Sequence, residues 1–173
     1  MLVTIFCTGL LLLGAALWDV RFRLIPNALS LTVFCLFLLH IVLNGLWTEA
    51  PGHLLVGGGV FIAGLILYAL GWFGGGDVKL FAALAFWAGP EHFFTLTIIT
   101  TLAGGVLGLV YLMPVLLFKS PAVLIGANWF FETAFSKPAP TFFVSDIKGI
   151  ELPYGVAIAT GGMAILHSIT VSG

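Results

Sequence analysis

The sequence predicts an all-α, polytopic membrane protein with about six transmembrane helices. Of its 173 residues, 61% are hydrophobic and only 8% are charged, which leaves too little polar surface for a chain that folds in water. Apolar runs also recur along the chain with the length that crosses a bilayer, roughly 20 residues each. Little sequence remains between these runs to form a soluble core, so we expect a single membrane domain over residues 1–173.

The predicted spans differ in length, and the fourth is short. In chain order they are residues 1–18, 28–46, 55–73, 78–89, 93–118 and 153–169. No basic region precedes the first span, so we expect it to be retained rather than cleaved as a signal peptide. At about 1.5 Å per residue the fourth covers less than about 20 Å of a hydrocarbon core roughly 30 Å thick. Either its start is recessed into the bilayer or the glycine-rich loop makes up the depth, and both options place Asp77 in a protein-lined cavity. Residues 119–152 are mixed in composition and are predicted to form a loop with an amphipathic segment on the membrane surface.

The basic residues predict the orientation of the spans. All six lie in alternate connections, the first, third and fifth, as Arg21, Arg23, Lys79, Lys119, Lys137 and Lys148. The second and fourth connections contain no Lys or Arg. Because cytoplasmic loops carry the excess of Lys and Arg, the three basic connections are predicted to face the cytoplasm.

Several classes of function are excluded by composition. A net charge of −1 with scattered basic residues argues against a nucleic-acid partner. Cys7 and Cys35 lie in apolar spans and form no CxxC pattern, which predicts neither a disulfide nor a metal site. The four histidines do not recur at metal-ligand spacing, and no serine has the context of a nucleophile. We therefore expect no metal and no cofactor.

Two aspartates are the strongest candidates for chemistry. Asp19 ends the first span, and Asp77 precedes the fourth, directly after Gly74, Gly75 and Gly76. Ionisable groups at membrane depth are functional candidates because they are costly there. The predicted topology brings both carboxylates to the same depth from the same side. One proton shared between them would provide an acid and a base that can activate water against a peptide carbonyl. The three glycines would let an extended substrate strand approach the backbone.

Three segments show a resemblance to a known family. They are Asp19 with Arg21 and Ile25-Pro26-Asn27, then Gly74-Gly75-Gly76-Asp77-Val78-Lys79, and finally Leu152-Pro153-Tyr154-Gly155 at the start of the last span. In their order and spacing the chain resembles a prepilin leader peptidase of the short, TadV/CpaA-like type, a GxGD-type intramembrane aspartic protease.

The resemblance implies a function and a site. It implies that Asp19 and Asp77 are catalytic and that the substrates are type IV prepilins or pseudopilins. Their basic leader would be cleaved from the apolar helix at the cytoplasmic face of the inner membrane, a step in type IV pilus assembly and protein secretion. It also places Pro153, Tyr154 and Gly155 near the site. Longer members carry a cytoplasmic region with paired CxxC motifs and methylate the product; since this chain lacks that region, we expect cleavage without methylation.

Some alternatives stay open at the level of sequence. Lys79, two residues after Asp77, is either a supporting residue of the site or a positive anchor at the membrane interface. A small transporter or channel subunit could use Asp19 and Asp77 as an ion or proton relay. A purely structural assembly subunit would tolerate replacement of both aspartates.

Overall fold

Five α-helices form the described part of the computed structural model, which comprises residues 2–117, 129 and 152–172. They are α1 (Leu2–Phe22), α2 (Asn27–Asn44), α3 (Ala50–Ala69), α4 (Gly75–Leu117) and α5 (Tyr154–Ser172). No strand occurs among these residues. All five helices are long and apolar enough to cross a membrane. The prediction of an all-α, polytopic membrane protein is confirmed.

The fourth and fifth predicted spans are two helical limbs that meet at a sharp break within α4, and the exact count of six spans is not confirmed. The backbone leaves helical geometry at Gly89, with φ 58° and ψ −168°. We call residues 75–88 the first limb of α4 and residues 90–117 the second limb. The predicted loop over 119–152 lies outside the described residues, except for Trp129 and Leu152.

The chain turns back at the kink. Asp77 in the first limb and Thr101 in the second line the same cavity. In a straight helix these two residues would lie about 36 Å apart, at about 1.5 Å per residue. The two limbs therefore run side by side in opposite directions. The first limb is about 21 Å long, shorter than a hydrocarbon core of roughly 30 Å, and corresponds to the predicted short fourth helix.

Local chemistry explains why the reversal occurs where it does. The positive φ of Gly89 suits a residue without a Cβ, and Pro90 has no N–H to donate to the carbonyl of Phe86. Nδ1 of His53, in α3, lies 2.7 Å from that carbonyl oxygen and must be the donor, because a carbonyl only accepts. The ring of His53 also occupies the space that a side chain at Gly89 would need. His53 thus replaces the hydrogen bond that Pro90 removes.

The kinked helix is the centre of the bundle. It packs against α2, α3 and α5, while α1 packs against α2 and α5. The first limb is buried on nearly all sides, which explains why its sequence is apolar all round. Gly57 and Gly64 of α3 lie so close to Phe86 and Val78 that an added Cβ would overlap them.

The helix ends are grouped at two opposite ends of the bundle. At one end, which we call the aspartate end, Asp19 contacts Gly155 and Ile25 contacts Gly76. At the opposite end Thr4 hydrogen-bonds His40 over 2.7 Å. The first and third connections are thus at the same end of the bundle, as the sequence predicted.

The hydrogen bond from His53 generates a stability prediction. His53→Phe keeps an aromatic ring beside Phe37 but leaves the carbonyl of Phe86 without its donor, which costs about 1–3 kcal/mol for a buried group. His53→Asn removes the ring but keeps an N–H near the position of Nδ1. We expect His53→Phe to lower the apparent thermal midpoint of the purified protein in detergent more than His53→Asn does. Equal midpoints for His53→Phe and the parent would show that the bond does not stabilise the kink.

Candidate active site

Asp19 is buried in the last turn of α1, with 4% of its surface exposed. Its Oδ2 accepts a hydrogen bond of 2.7 Å from the main-chain N–H of Gly155. Gly155 is the second residue of α5, where the N–H groups have no partner within their own helix. Asp19 therefore caps α5 from a neighbouring helix, and the positive end of the α5 dipole faces the carboxylate.

The contact between Asp19 and α5 requires glycine at position 155. A Cβ at that position would lie 2.8 Å from Oδ2 of Asp19 and 2.9 Å from its Cβ. Such distances are shorter than real Cβ contacts, so any other residue would push the carboxylate or the helix away. The glycine of the Pro153-Tyr154-Gly155 segment thus has a defined structural role beside Asp19. Pro153 is buried and directly precedes α5.

Asp77 lies in the first turn of α4, half-buried, at the edge of a cavity of about 430 Å³. The other lining residues are mostly apolar and come from α3, both limbs of α4, the loop before α4, and α5: Val60, Ala63, Gly64, Leu67, Phe73, Val78, Phe81, Phe93, Thr97, Thr100, Thr101, Tyr154 and Ile158. Asp77 thus lines a cavity formed by the protein, the setting that the sequence predicted for this residue.

The fold brings the two predicted catalytic aspartates together. Tyr154 lines the cavity of Asp77, and the next residue, Gly155, donates to Asp19. Asp19 and Asp77 therefore lie at the same end of the bundle, both beside the start of α5. No group of three or more His, Cys, Asp or Glu side chains in the described ranges could hold a metal ion. The arrangement is suited to acid–base chemistry between two carboxyl groups.

The three glycines before Asp77 pack closely against their surroundings. A Cβ at Gly74 would lie 2.9 Å from Oδ2 of Asp77, and one at Gly75 would lie 3.2 Å from the ring of Tyr68. A Cβ at Gly76 would lie 3.1 Å from the carbonyl oxygen of Ile25. Because these positions have no side chain, the backbone can approach its neighbours. That a substrate strand approaches the same backbone remains a prediction.

Lys79 is directed away from the cavity of Asp77. Its Nζ donates a 2.8 Å hydrogen bond to Oδ1 of Asn27, the first residue of α2, and it lines a different groove. Together with the contact of Ile25 on Gly76, this bond joins the Ile25-Pro26-Asn27 segment to the glycine-rich segment. Lys79 thus links two of the three segments.

Sequence reasoning missed one polar feature of the cavity. Thr97, Thr100 and Thr101 lie on one face of the second limb and line the cavity opposite Asp77. Their i, i+3, i+4 spacing is the available signal, since it places side chains on one helix face. Oγ1 of Thr97 donates to the carbonyl of Phe93, whereas Oγ1 of Thr100 is buried without a hydrogen-bond partner among the described residues.

Comparisons with known proteins identify the family. The model of the type IV leader peptidase family matches residues 5–130, which include Asp19 and Asp77 but not Gly155. No curated protein and no solved structure matches the chain. The match covers most of the sequence and includes the first two of the three segments, while the short TadV/CpaA-like subtype stays a prediction. The chain belongs to the type IV leader peptidase family.

Proposed function

We propose that this chain is an intramembrane aspartic endopeptidase that removes the basic leader from type IV prepilins or pseudopilins. The observation that carries the proposal is that Asp19 and Asp77 lie at the same end of the bundle, Asp19 bonded to Gly155 and Asp77 lining the apolar cavity that Tyr154 also lines. Membership of a peptidase family favours this function over an ion or proton relay through the same two carboxylates.

The proposed mechanism uses the two carboxyl groups as one unit. The ionised member takes a proton from water as the water oxygen attacks the scissile carbonyl carbon, and the protonated member donates a hydrogen bond to the carbonyl oxygen. When the C–N bond breaks, a proton passes to the leaving nitrogen. The N–H of Gly155 engages only Oδ2 of Asp19, so Oδ1 can take part in proton transfer while the side chain stays in place.

The cavity beside Asp77 supports a particular placement of the substrate. Its walls are mainly aliphatic and aromatic, including Phe81 and Phe93, and suit the apolar residues that follow the leader. The basic leader itself would stay in the water at the aspartate end. The reaction then separates a charged segment from an apolar one at the membrane boundary, without methylation of the new N-terminus.

We propose that the aspartate end faces the cytoplasm at the inner membrane. Arg21, Arg23 and Lys79 belong to the connections at this end, whereas Glu49 lies at the opposite end. Because cytoplasmic connections carry the excess of positive charge, the aspartate end is the cytoplasmic one under this rule.

The first test is cleavage of a co-expressed prepilin, which is detected by the shift in its electrophoretic mobility. Asp19→Asn and Asp77→Asn should each reduce the rate by about 10²–10⁴-fold, because an amide cannot exchange the proton. The double variant should be no slower than the slower single variant, since the two groups act as one unit. Glu49→Gln, at the opposite end, is the control and should cleave normally. Substantial activity in either aspartate variant would remove that residue from the pair.

A second test concerns the glycine that contacts Asp19. Gly155→Ala should slow cleavage by about 10²-fold, because displacement of a reacting group by about 1 Å has that effect. Gly108→Ala is the matched control, since a Cβ at that position would meet no neighbouring side chain of the described residues within 4 Å. The two variants should accumulate equally in the membrane. Similar rates for both would show that the contact with α5 does not position Asp19.

The orientation can be tested by labelling single cysteines in intact cells, after Cys7 and Cys35 are replaced by Ala. Leu24→Cys, at an exposed position of the first connection, should react with an impermeant maleimide only after the membrane is opened. Thr48→Cys, exposed at the opposite end, should react in intact cells. The reverse pattern would place the aspartates on the outer face and contradict the proposed orientation.

A further inference from the structure

A groove of about 460 Å³ lies on the outside of the bundle between α2 and α3. Both helices pack on α4, and the small side chains of Ala82 and Ala83 form the floor of the groove. Its walls are apolar, with Leu31 and Phe34 from α2 and Phe61 from α3. Leu31 is 62% exposed, so the groove opens towards the surroundings of the bundle, which for these spanning helices is lipid.

One end of the groove is cationic. Lys79 lies there, and its ammonium group has three N–H donors, of which the bond to Asn27 uses one. No carboxylate among the described residues forms an ion pair with Lys79. Asn27 begins α2, whose first turn has no side-chain cap, although the N–H of Leu29 donates to the carbonyl of Pro26. The positive end of the helix dipole lies beside the lysine.

A further polar group in the groove has no partner. Ser30 lies one turn along α2 from Pro26, is 5% exposed and lines the groove. Its hydroxyl oxygen makes no hydrogen bond within the part of the chain that the structure describes. Buried hydroxyl groups are normally paired, so Ser30 is a polar group in the groove whose hydrogen bond the described helices do not supply.

We propose that the groove binds an anionic phospholipid. The phosphate lies on Nζ of Lys79 beside the start of α2, and one acyl chain follows Leu31, Phe34 and Phe61. The charge and the apolar walls together select this occupant: a free phosphate would leave the walls uncovered, and a zwitterionic lipid carries its own cation. A basic pocket between membrane helices is a recognised setting for an anionic headgroup.

A lipid bound at Lys79 would also connect two helices of the bundle. Lys79 and Asn27 join the start of α2 to the start of α4, two residues from Asp77. A phosphate bound there contacts both helices at once. The bound lipid thus ties α2 to the segment that carries a predicted catalytic aspartate, although the binding site is separate from the cavity of Asp77.

The test is lipid binding to the purified protein, measured by native mass spectrometry, and it does not depend on peptidase activity. The parent should retain phosphatidylglycerol in preference to phosphatidylcholine of the same acyl chains. Lys79→Gln should weaken phosphatidylglycerol binding about fivefold, the equivalent of about 1 kcal/mol for one cation near a lipid surface. Lys79→Arg should retain the preference. Arg21→Gln removes an exposed cation at the same end but outside the groove, and should bind as the parent does.

Three outcomes would overturn the proposal. Equal retention of the two lipids by the parent would show an unselective lipid-facing surface, and this comparison requires no variant to fold. An equal loss of binding in Lys79→Gln and Arg21→Gln would show a general effect of charge. Displacement of phosphatidylglycerol by inorganic phosphate at equal concentration would show a simple anion site, in which the apolar groove plays no part.

Discussion

The hydrogen bond between the N–H of Gly155 and Oδ2 of Asp19 is the contact on which the site depends. It joins the end of α1 to the start of α5, and it exists because position 155 has no side chain. The residue before it, Tyr154, lines the cavity of Asp77. One helix start therefore holds the first aspartate and borders the cavity of the second. The cost of burying a carboxylate is offset by a main-chain donor and a helix dipole.

The second constraint is the reversal of the chain at Gly89, because it determines how deep in the bundle Asp77 lies. A first limb that ends after about 21 Å allows the rest of α4 to return beside it, so the cavity of Asp77 has walls from both limbs. In a membrane the carbonyl freed by Pro90 must find a donor within the protein. His53 supplies that donor from α3, at the end of the bundle opposite the aspartates. The cavity of Asp77 at one end is thus bordered by two limbs whose reversal is accompanied by a hydrogen bond at the other end.

Much of this arrangement could be predicted from the sequence, because hydrophobic length and charge distribution are local signals. The membrane class, the short fourth helix and the shared end of Asp19 and Asp77 follow from them. Gly89-Pro90 indicates the break between the two limbs, but the donor from His53 to the carbonyl of Phe86 could not be predicted, because it comes from a distant helix. The bond from Lys79 to Asn27 connects residues that are distant in the sequence, and no local pattern indicates it. Gly155 was placed near the site by resemblance alone, and its contact with Asp19 is visible only in three dimensions.

The proximity of the two aspartates is the central claim, and cross-linking measures it without reference to activity. In a chain whose Cys7 and Cys35 are replaced by Ala, Asp19→Cys and Asp77→Cys are combined and treated with a short bifunctional thiol reagent. The account predicts an intramolecular cross-link, identified by mass spectrometry as a joined pair of peptides. Asp19→Cys combined with Thr48→Cys, whose residues lie at opposite ends of the bundle, should give none. If both thiols of the first pair react with a monofunctional reagent and yet do not cross-link, the two aspartates do not share one site.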